Sequence, residues 1–287
     1  MRTCIFYGTC IFYATPCSTT SNVTRRSTFM CSGSSFDCRE MITFLVVVSA
    51  LAVVYCIVQL LKGKCYSKAS LEGKTAVITG ANTGIGFTTA LDFARRKGRV
   101  ILACRSKERG EEAQKKIINL TGNQNVFVRV VDISRMTSIR KFVDDFIKDE
   151  KRLDILVNNA AVTGMKKTMT EEGLEYSYAT NYYGPFLLTN LLLDLLKKTP
   201  NSRIVNVSSI VNMFGRVDCD NMNGERYSIP RMYYDTKLLN ILFTKELVRR
   251  LEGTGKSVYY TPCKLVWGVY RNRPVCLSVR IPCKCFS

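Results

Sequence analysis

Tyr233 and Lys237 stand four residues apart, a spacing that puts both on one face of a helix. A free phenol has a pKa of about 10 and is a poor acid near neutrality. A neighbouring ammonium favours the phenolate and lowers that pKa. Tyr233 could then pass a proton to a carbonyl oxygen while a hydride reaches the carbon, with Lys237 tuning it and holding a ribose. Tyr234 has no such partner, because Leu238 lies four residues on. The spacing alone is common on helix surfaces, so its companions matter. Ser208 and Ser209 close the run Arg203-Ile-Val-Asn-Val-Ser208-Ser209 and offer a hydroxyl for a substrate oxygen. Asn158 and Asn159 close Asp154-Ile-Leu-Val-Asn158-Asn159-Ala160-Ala161, and Asn181 adds an amide further on.

A second constellation is Thr79-Gly80-Ala81-Asn82-Thr83-Gly84-Ile85-Gly86. Glycines at a strand-to-helix turn let the backbone bend sharply and approach a pyrophosphate, and the helix N-terminus offers free N–H groups. The next predicted strand ends in Ala103-Cys104-Arg105-Ser106. A fold selecting NAD usually has an acidic residue there for the ribose 2′-hydroxyl. Arg105 instead suits the 2′-phosphate of NADP(H), which a guanidinium can pair. Asp132, ending the third strand, either accepts from the adenine amino group or caps the next helix with Ser134.

These residues need a frame. Strands are predicted over 75–79, 99–104, 126–131, 155–158, 203–208 and 257–261, several as unbroken Val/Ile/Leu runs that suit strands covered on both faces. Amphipathic helices are predicted near 85–97, 106–119, 135–149, 171–197 and 231–252. Such alternation implies an α/β fold, a Rossmann-like doubly wound parallel sheet with its ligand at the carboxyl ends of the strands.

The chain has 287 residues, 46% hydrophobic, with 42 basic and 23 acidic residues and a net charge of +19. Its basic residues are scattered, which favours a membrane or a phosphate ligand over nucleic acid. It has no histidine, which excludes Ser-His-Asp, Cys-His and His-ligated metal chemistry. Of 13 cysteines, only Cys104 and Cys219 lie between Ser67 and Pro262, so the central domain reads as reduced. Cys283 and Cys285 lack a second pair at metal-binding spacing and read as tail thiols. Residues 42–61 carry no charge and would cover roughly 30 Å as a helix, the thickness of a bilayer core. The expected organisation is an irregular extension over 1–40, which holds the near-repeat Thr3–Tyr7 and Thr9–Tyr13, then a transmembrane helix over 41–61. A linker over 62–70, a catalytic domain over 71–262 and an atypical tail over 263–287 follow. Lys62, Lys64, Lys68 and Lys74 after the span lean the domain towards the cytosol.

From about Leu71 to Gly255 the chain resembles the short-chain dehydrogenase/reductase family, in motif order, spacing and flanking residues. It looks closest to the retinol dehydrogenase-like branch, in its Gly-Ala-Asn-Thr-Gly-Ile-Gly loop, its Ala-Cys-Arg strand end and its Asn-Ile-Leu-Phe-Thr-Lys-Glu-Leu helix. The resemblance implies a catalytic tetrad of Asn181, Ser209, Tyr233 and Lys237, Ser209 being the second serine of its pair. It implies NADP(H) held by Gly80, Asn82, Thr83, Gly84, Ile85, Gly86, Arg105, Asp132, Asn158 and Ala160, with Tyr233 and Lys237 alongside. It also implies a lipophilic alcohol or carbonyl substrate, such as a retinoid or lipid aldehyde. A single-pass membrane location follows from the same likeness: endoplasmic reticulum with a cytosolic domain, or else a mitochondrial membrane. A homodimer stays open.

Three departures stand against the family pattern. Ala161 replaces the glycine of Asn-Asn-Ala-Gly. Cys263 follows Pro262 where a Pro-Gly turn is the rule. The residues up to Ser287 resemble no substrate-covering segment, and the first 40 are foreign to the family. The competing expectation is therefore a catalytically impaired reductase that binds a cofactor or a partner at the membrane.

Overall fold

A computed structural model describes residues 28–31, 34–60, 69–224, 226, 228–251 and 257–263, with the main chain alone for 28–38, 58–60 and 257–263. The near-repeat, Lys62, Lys64 and Lys68, and everything after Cys263 lie outside the described residues. The chain divides into two units, Met1–Lys62 and Gly63–Ser287.

In the first unit, β1 (Thr28–Cys31) and β2 (Ser34–Asp37) pair antiparallel, with Phe29 opposite Phe36. This corrects the expectation of an irregular segment up to residue 40. Strands of four residues place only two side chains on each face, too few for a period to show. The helix α1 (Cys38–Leu60) follows, beginning before the predicted span. Its stretch Arg39–Ile57 is long and apolar enough to cross a membrane, and none of it is buried within the protein.

Among its described residues the second unit holds six parallel strands: β3 (Thr75–Thr79), β4 (Arg99–Cys104), β5 (Val126–Val130), β6 (Ile155–Asn158), β7 (Arg203–Ser209) and β8 (Ser257–Cys263). Their order in the sheet is β5-β4-β3-β6-β7-β8. Side chains alternate between two separate cores. Ala76, Ile78, Val100 and Leu102 pack with α2 (Gly84–Arg95) and α3 (Lys107–Thr121). Val77, Ile101 and Leu156 pack with α4 (Met136–Asp149), α6 (Gly184–Lys198) and α7 (Ile229–Leu251). Burial on both faces is why these strands read as continuous apolar runs. The strand order reverses between β3 and β6, and in such sheets a ligand binds at the carboxyl ends beside that point.

Two predicted boundaries shift. The long helix expected over 171–197 is instead α5 (Tyr176–Tyr178), a wide π turn over Ala179–Tyr183, and then α6. Pro185 lies in the first turn of α6. It has no N–H to give the carbonyl four residues back, that of Asn181. β8 runs on through Pro262 and Cys263, pairing with Ser208 and Ser209. The turn expected at Pro262-Cys263 is therefore extended strand. Among the described residues β8 is an edge strand, where a proline is tolerated that a central strand would not accept.

Candidate active site

The glycine loop joins β3 to α2, and its shape follows from missing side chains. Gly80 and Gly84 have φ of 64° and 58°, in the left-handed region that favours glycine. A Cβ on Gly86 would sit 2.4 Å from the Gly80 carbonyl oxygen, so only glycine lets α2 start this close to the strand. A Cβ on Gly84 would meet nothing within 4 Å, so the space in front of the loop is open. Thr83 caps α2 without a side-chain hydrogen bond, leaving first-turn N–H groups for a ligand. Asn82 and Ile85 are half-buried beside it. Together these features fit a pyrophosphate.

The loop is fastened to the end of β6 chiefly by Thr79 and Asn159, to which the sequence reading gave no role. Thr79 Oγ1 accepts the N–H groups of Asn159 and Ala160, each at 3.0 Å. The Asn159 amide donates to the carbonyls of Thr79 at 2.9 Å and Gly80 at 3.3 Å. Their signal was positional: a hydroxyl at one strand end and an amide just past the next. Ala161 has no positive φ, so it sits there without backbone strain.

Asn158 lies at the end of β6, next to the segment that follows the strand. Its side chain is buried and donates to Thr189 Oγ1 at 2.8 Å and Asn206 Oδ1 at 2.7 Å. That amide ties β6 to α6 and β7 inside the core, because β6 is central and its last side chain points between the layers. In the turn before α4, Asp132 Oδ1 accepts the N–H of Ser134 at 3.0 Å and its hydroxyl at 2.7 Å. Arg105 is exposed at the end of β4, where one guanidinium N–H donates to the Tyr176 phenol oxygen.

The four residues expected to form the tetrad lie on three elements, the π turn, β7 and α7. Lys237 is buried on α7, its Nζ 5.4 Å from the centre of the Tyr233 ring and donating to the Val207 carbonyl of β7 at 3.0 Å. Ser208 donates to the main-chain carbonyl of Lys237 at 2.8 Å, a structural tie that occupies its hydroxyl. The Ser209 hydroxyl has no hydrogen-bond partner among the described residues and is the one left for a ligand. Tyr234 packs against Phe214 with the rings tilted and their centres 5.9 Å apart.

Asn181 is almost fully buried in the π turn. Its side chain accepts from Val162 N–H at 2.8 Å and donates to Val162 O at 2.9 Å, clamping the segment after β6. Its main-chain carbonyl, denied an α-helical donor by Pro185, accepts from the Asn240 amide at 3.0 Å. Asn240 is a residue the sequence reading missed, although it lies two turns beyond Tyr233 on the same helix face. Burial and the nearby Asp235 carboxylate push the Tyr178 phenol well above its ordinary pKa, so it stays protonated near neutrality.

A profile of the family described as short chain dehydrogenase matches residues 74–219. Human retinol dehydrogenase 13 is 46% identical over 225 residues, covering 76% of this chain and 68% of its own length. The crystal structure of an uncharacterised protein from Mycobacterium paratuberculosis is 37% identical at a TM-score of 0.61, covering 69% of each chain. A short-chain dehydrogenase from Sphingobium yanoikuyae in complex with NADPH is 25% identical at a TM-score of 0.54, covering 65% of this chain and 69% of that one. With its glycine loop, parallel sheet and Tyr233–Lys237 pair in place, this chain belongs to the short-chain dehydrogenase family of nicotinamide-dependent oxidoreductases, in its retinol dehydrogenase-like branch.

Proposed function

We propose that the protein is a membrane-anchored oxidoreductase that moves a hydride between NADP(H) and a lipophilic alcohol or carbonyl, a retinoid or a lipid aldehyde. The observation that carries this reading is the buried Lys237 beside Tyr233, on a helix tied to the strand that ends in Ser209. Tyr233 gives its proton to the substrate oxygen in reduction and takes it back in oxidation. The Ser209 hydroxyl donates to the same oxygen and orients the carbonyl. Lys237, held by Val207 O, keeps a positive charge beside the phenol and favours its ionised form. Asn181 fixes the segment after β6. The bound nicotinamide supplies or accepts the hydride.

The residues at the strand ends fit such a cofactor. Gly80, Gly84 and Gly86 leave room for the pyrophosphate, and Arg105 brings a guanidinium to the 2′-phosphate position without an acidic neighbour on its strand end. The retinol dehydrogenase relative supports the lipophilic substrate, and α1 supports the anchor. The proposed location is the endoplasmic reticulum with a cytosolic catalytic domain, a mitochondrial membrane being the alternative.

The test is NADPH oxidation by the detergent-solubilised full chain, given all-trans-retinal or a medium-chain aldehyde, beside Tyr233→Phe. Turnover that the substitution abolishes supports the reductase. NADPH binding without turnover turns the reading into that of an impaired, cofactor-binding protein. Absence of NADPH binding defeats both.

A further inference from the structure

Arg105 and Tyr176 lie 71 residues apart in the chain, and their side chains meet in a hydrogen bond of 2.5 Å. A guanidinium has only donors, so the phenol oxygen is the acceptor and the phenolic hydrogen points elsewhere. Among the described residues that hydrogen has no acceptor and Arg105 has no carboxylate partner. The pair therefore presents an uncompensated cation and a spare O–H donor at the carboxyl end of β4.

Tyr176 is not a loose surface side chain. Its N–H donates to Thr168 O at 2.8 Å, and its carbonyl accepts from Thr180 Oγ1 at 2.8 Å. The fully buried Glu175 before it accepts the N–H groups of Ser177 and Tyr178 at 2.8 and 2.9 Å. Just upstream, Glu171 pairs with Arg135, and Glu172 accepts from the Thr137 N–H at 3.3 Å, fixing the segment to the start of α4. Tyr176 is thereby held against Arg105, just past β4, on a segment tied to the start of α4. Arg105 also adjoins the first turn of α3, where Glu108 is engaged by Ser106 Oγ at 2.8 Å.

We propose that Tyr176 is a specificity residue for the 2′-phosphorylated cofactor. Arg105 and Tyr176 form a clamp in which guanidinium N–H groups and the phenolic O–H donate to the same 2′-phosphate. The proposal rests on the NADP(H) reading above. A phosphate dianion gains from both donors, whereas a neutral 2′-hydroxyl offers neither charge nor enough acceptors, so the effect is confined to NADPH.

The test measures Kd for NADPH and NADH on the full chain in detergent, from the fluorescence of the bound reduced nucleotide. Tyr176→Phe keeps the ring and removes the O–H. It is expected to weaken NADPH about tenfold, in line with one hydrogen bond to a charged group, and to leave NADH unchanged. In an Arg105→Ala background the same change should have a smaller effect, because the two donors act on one phosphate. Tyr176→Gln, which retains a donor, should recover part of the loss. Equal weakening of both nucleotides, no weakening, or tighter NADPH binding by Tyr176→Phe would each overturn the clamp. If Arg105→Ala discriminates between the nucleotides and Tyr176→Phe does not, the clamp fails and the NADP(H) reading survives. If neither discriminates, both fail.

Discussion

The two ends of the site are built by different means. The glycine loop over 80–86 owes its shape to atoms that are missing: two residues at positive φ and one close approach that a single Cβ would block. The catalytic end owes its shape to side chains that reach across the fold. Asn181, Asn240, Lys237 and Ser208 are held by hydrogen bonds to partners 19 to 59 residues away. A backbone solution is local and tolerates little change within one turn. A side-chain solution spreads its tolerance over several elements and can be tuned one bond at a time.

Two substitutions break this comparison most sharply. Tyr233→Phe removes the proposed proton donor and nothing from the loop. Turnover should fall by about 10²- to 10⁴-fold, the usual worth of general acid catalysis, with NADPH affinity unchanged. Gly86→Ala should do the reverse. Its Cβ would lie 2.4 Å from Gly80 O, and relieving such overpacking costs about 1–3 kcal/mol. NADPH affinity should drop by about 10- to 100-fold, while a cofactor-saturated sample keeps most of its turnover. Titrations of nucleotide binding and saturated rates on both variants separate the two effects. A loss of binding in Tyr233→Phe would mean that the two ends are one cooperative unit.

The same contrast explains what the sequence made legible. Glycine is visible as a letter, and so is its spacing, which is why the loop could be read directly; the β-α alternation around it showed a doubly wound parallel sheet, whereas the order of its strands became visible only with the fold. The Tyr233–Lys237 pair was equally plain, because four residues is a helical repeat. The family resemblance set Asn158 around the cofactor, and the fold adds that its amide reaches into the core towards Thr189 and Asn206. No local pattern records which way the last side chain of a central strand points relative to a helix 31 residues on. The break at Asn181 was marked by Pro185, but the apolar stripe of Leu187, Leu188, Leu191 and Leu192 ran close enough to hide it. The Asn240 contact depends on that break and became visible only with the fold.

A smaller effect sharpens the comparison on the catalytic side. Asn240→Leu keeps the volume at a buried helix position and removes the donor to Asn181 O. The freed carbonyl is then unpaired at a cost of about 1–3 kcal/mol. If that cost falls on the geometry of the site, kcat drops about tenfold while NADPH Kd stays put. Pro185→Ala restores an N–H four residues after Asn181 and should return part of the lost kcat in the double variant. A loss of thermal stability with no change in kcat, or no rescue by Pro185→Ala, would reduce Asn240 to a packing residue.

The smallest expected effect concerns Asp235, which sits on α7 between Tyr233 and Lys237 and is buried. Its Oδ1 accepts the Arg216 N–H at 2.7 Å, and Arg231 lies 3.8 Å from the other oxygen. Burial raises its pKa above the ordinary carboxylate range, and the Arg216 and Arg231 contacts only partly offset that. At a pH below that range both folded and unfolded chains hold the proton, and the group is neutral to stability. As pH rises through the unfolded value, the unfolded chain releases a proton that the folded chain still keeps. Stability falls until the raised folded value is passed, and the deficit is constant above it. Asp235→Asn retains the acceptor for Arg216 and abolishes the buried charge, while the half-exposed Arg231 pair it loses is worth little. The variant should therefore melt slightly higher than the parent at neutral pH, with the gap closing as the pH is lowered through the carboxylate range. Thermal melts across that range decide it: a variant that melts lower at neutral pH would mean that the charge anchors the loop after Ser209. In that case the catalytic end would depend on an ion pair as well as on neutral hydrogen bonds.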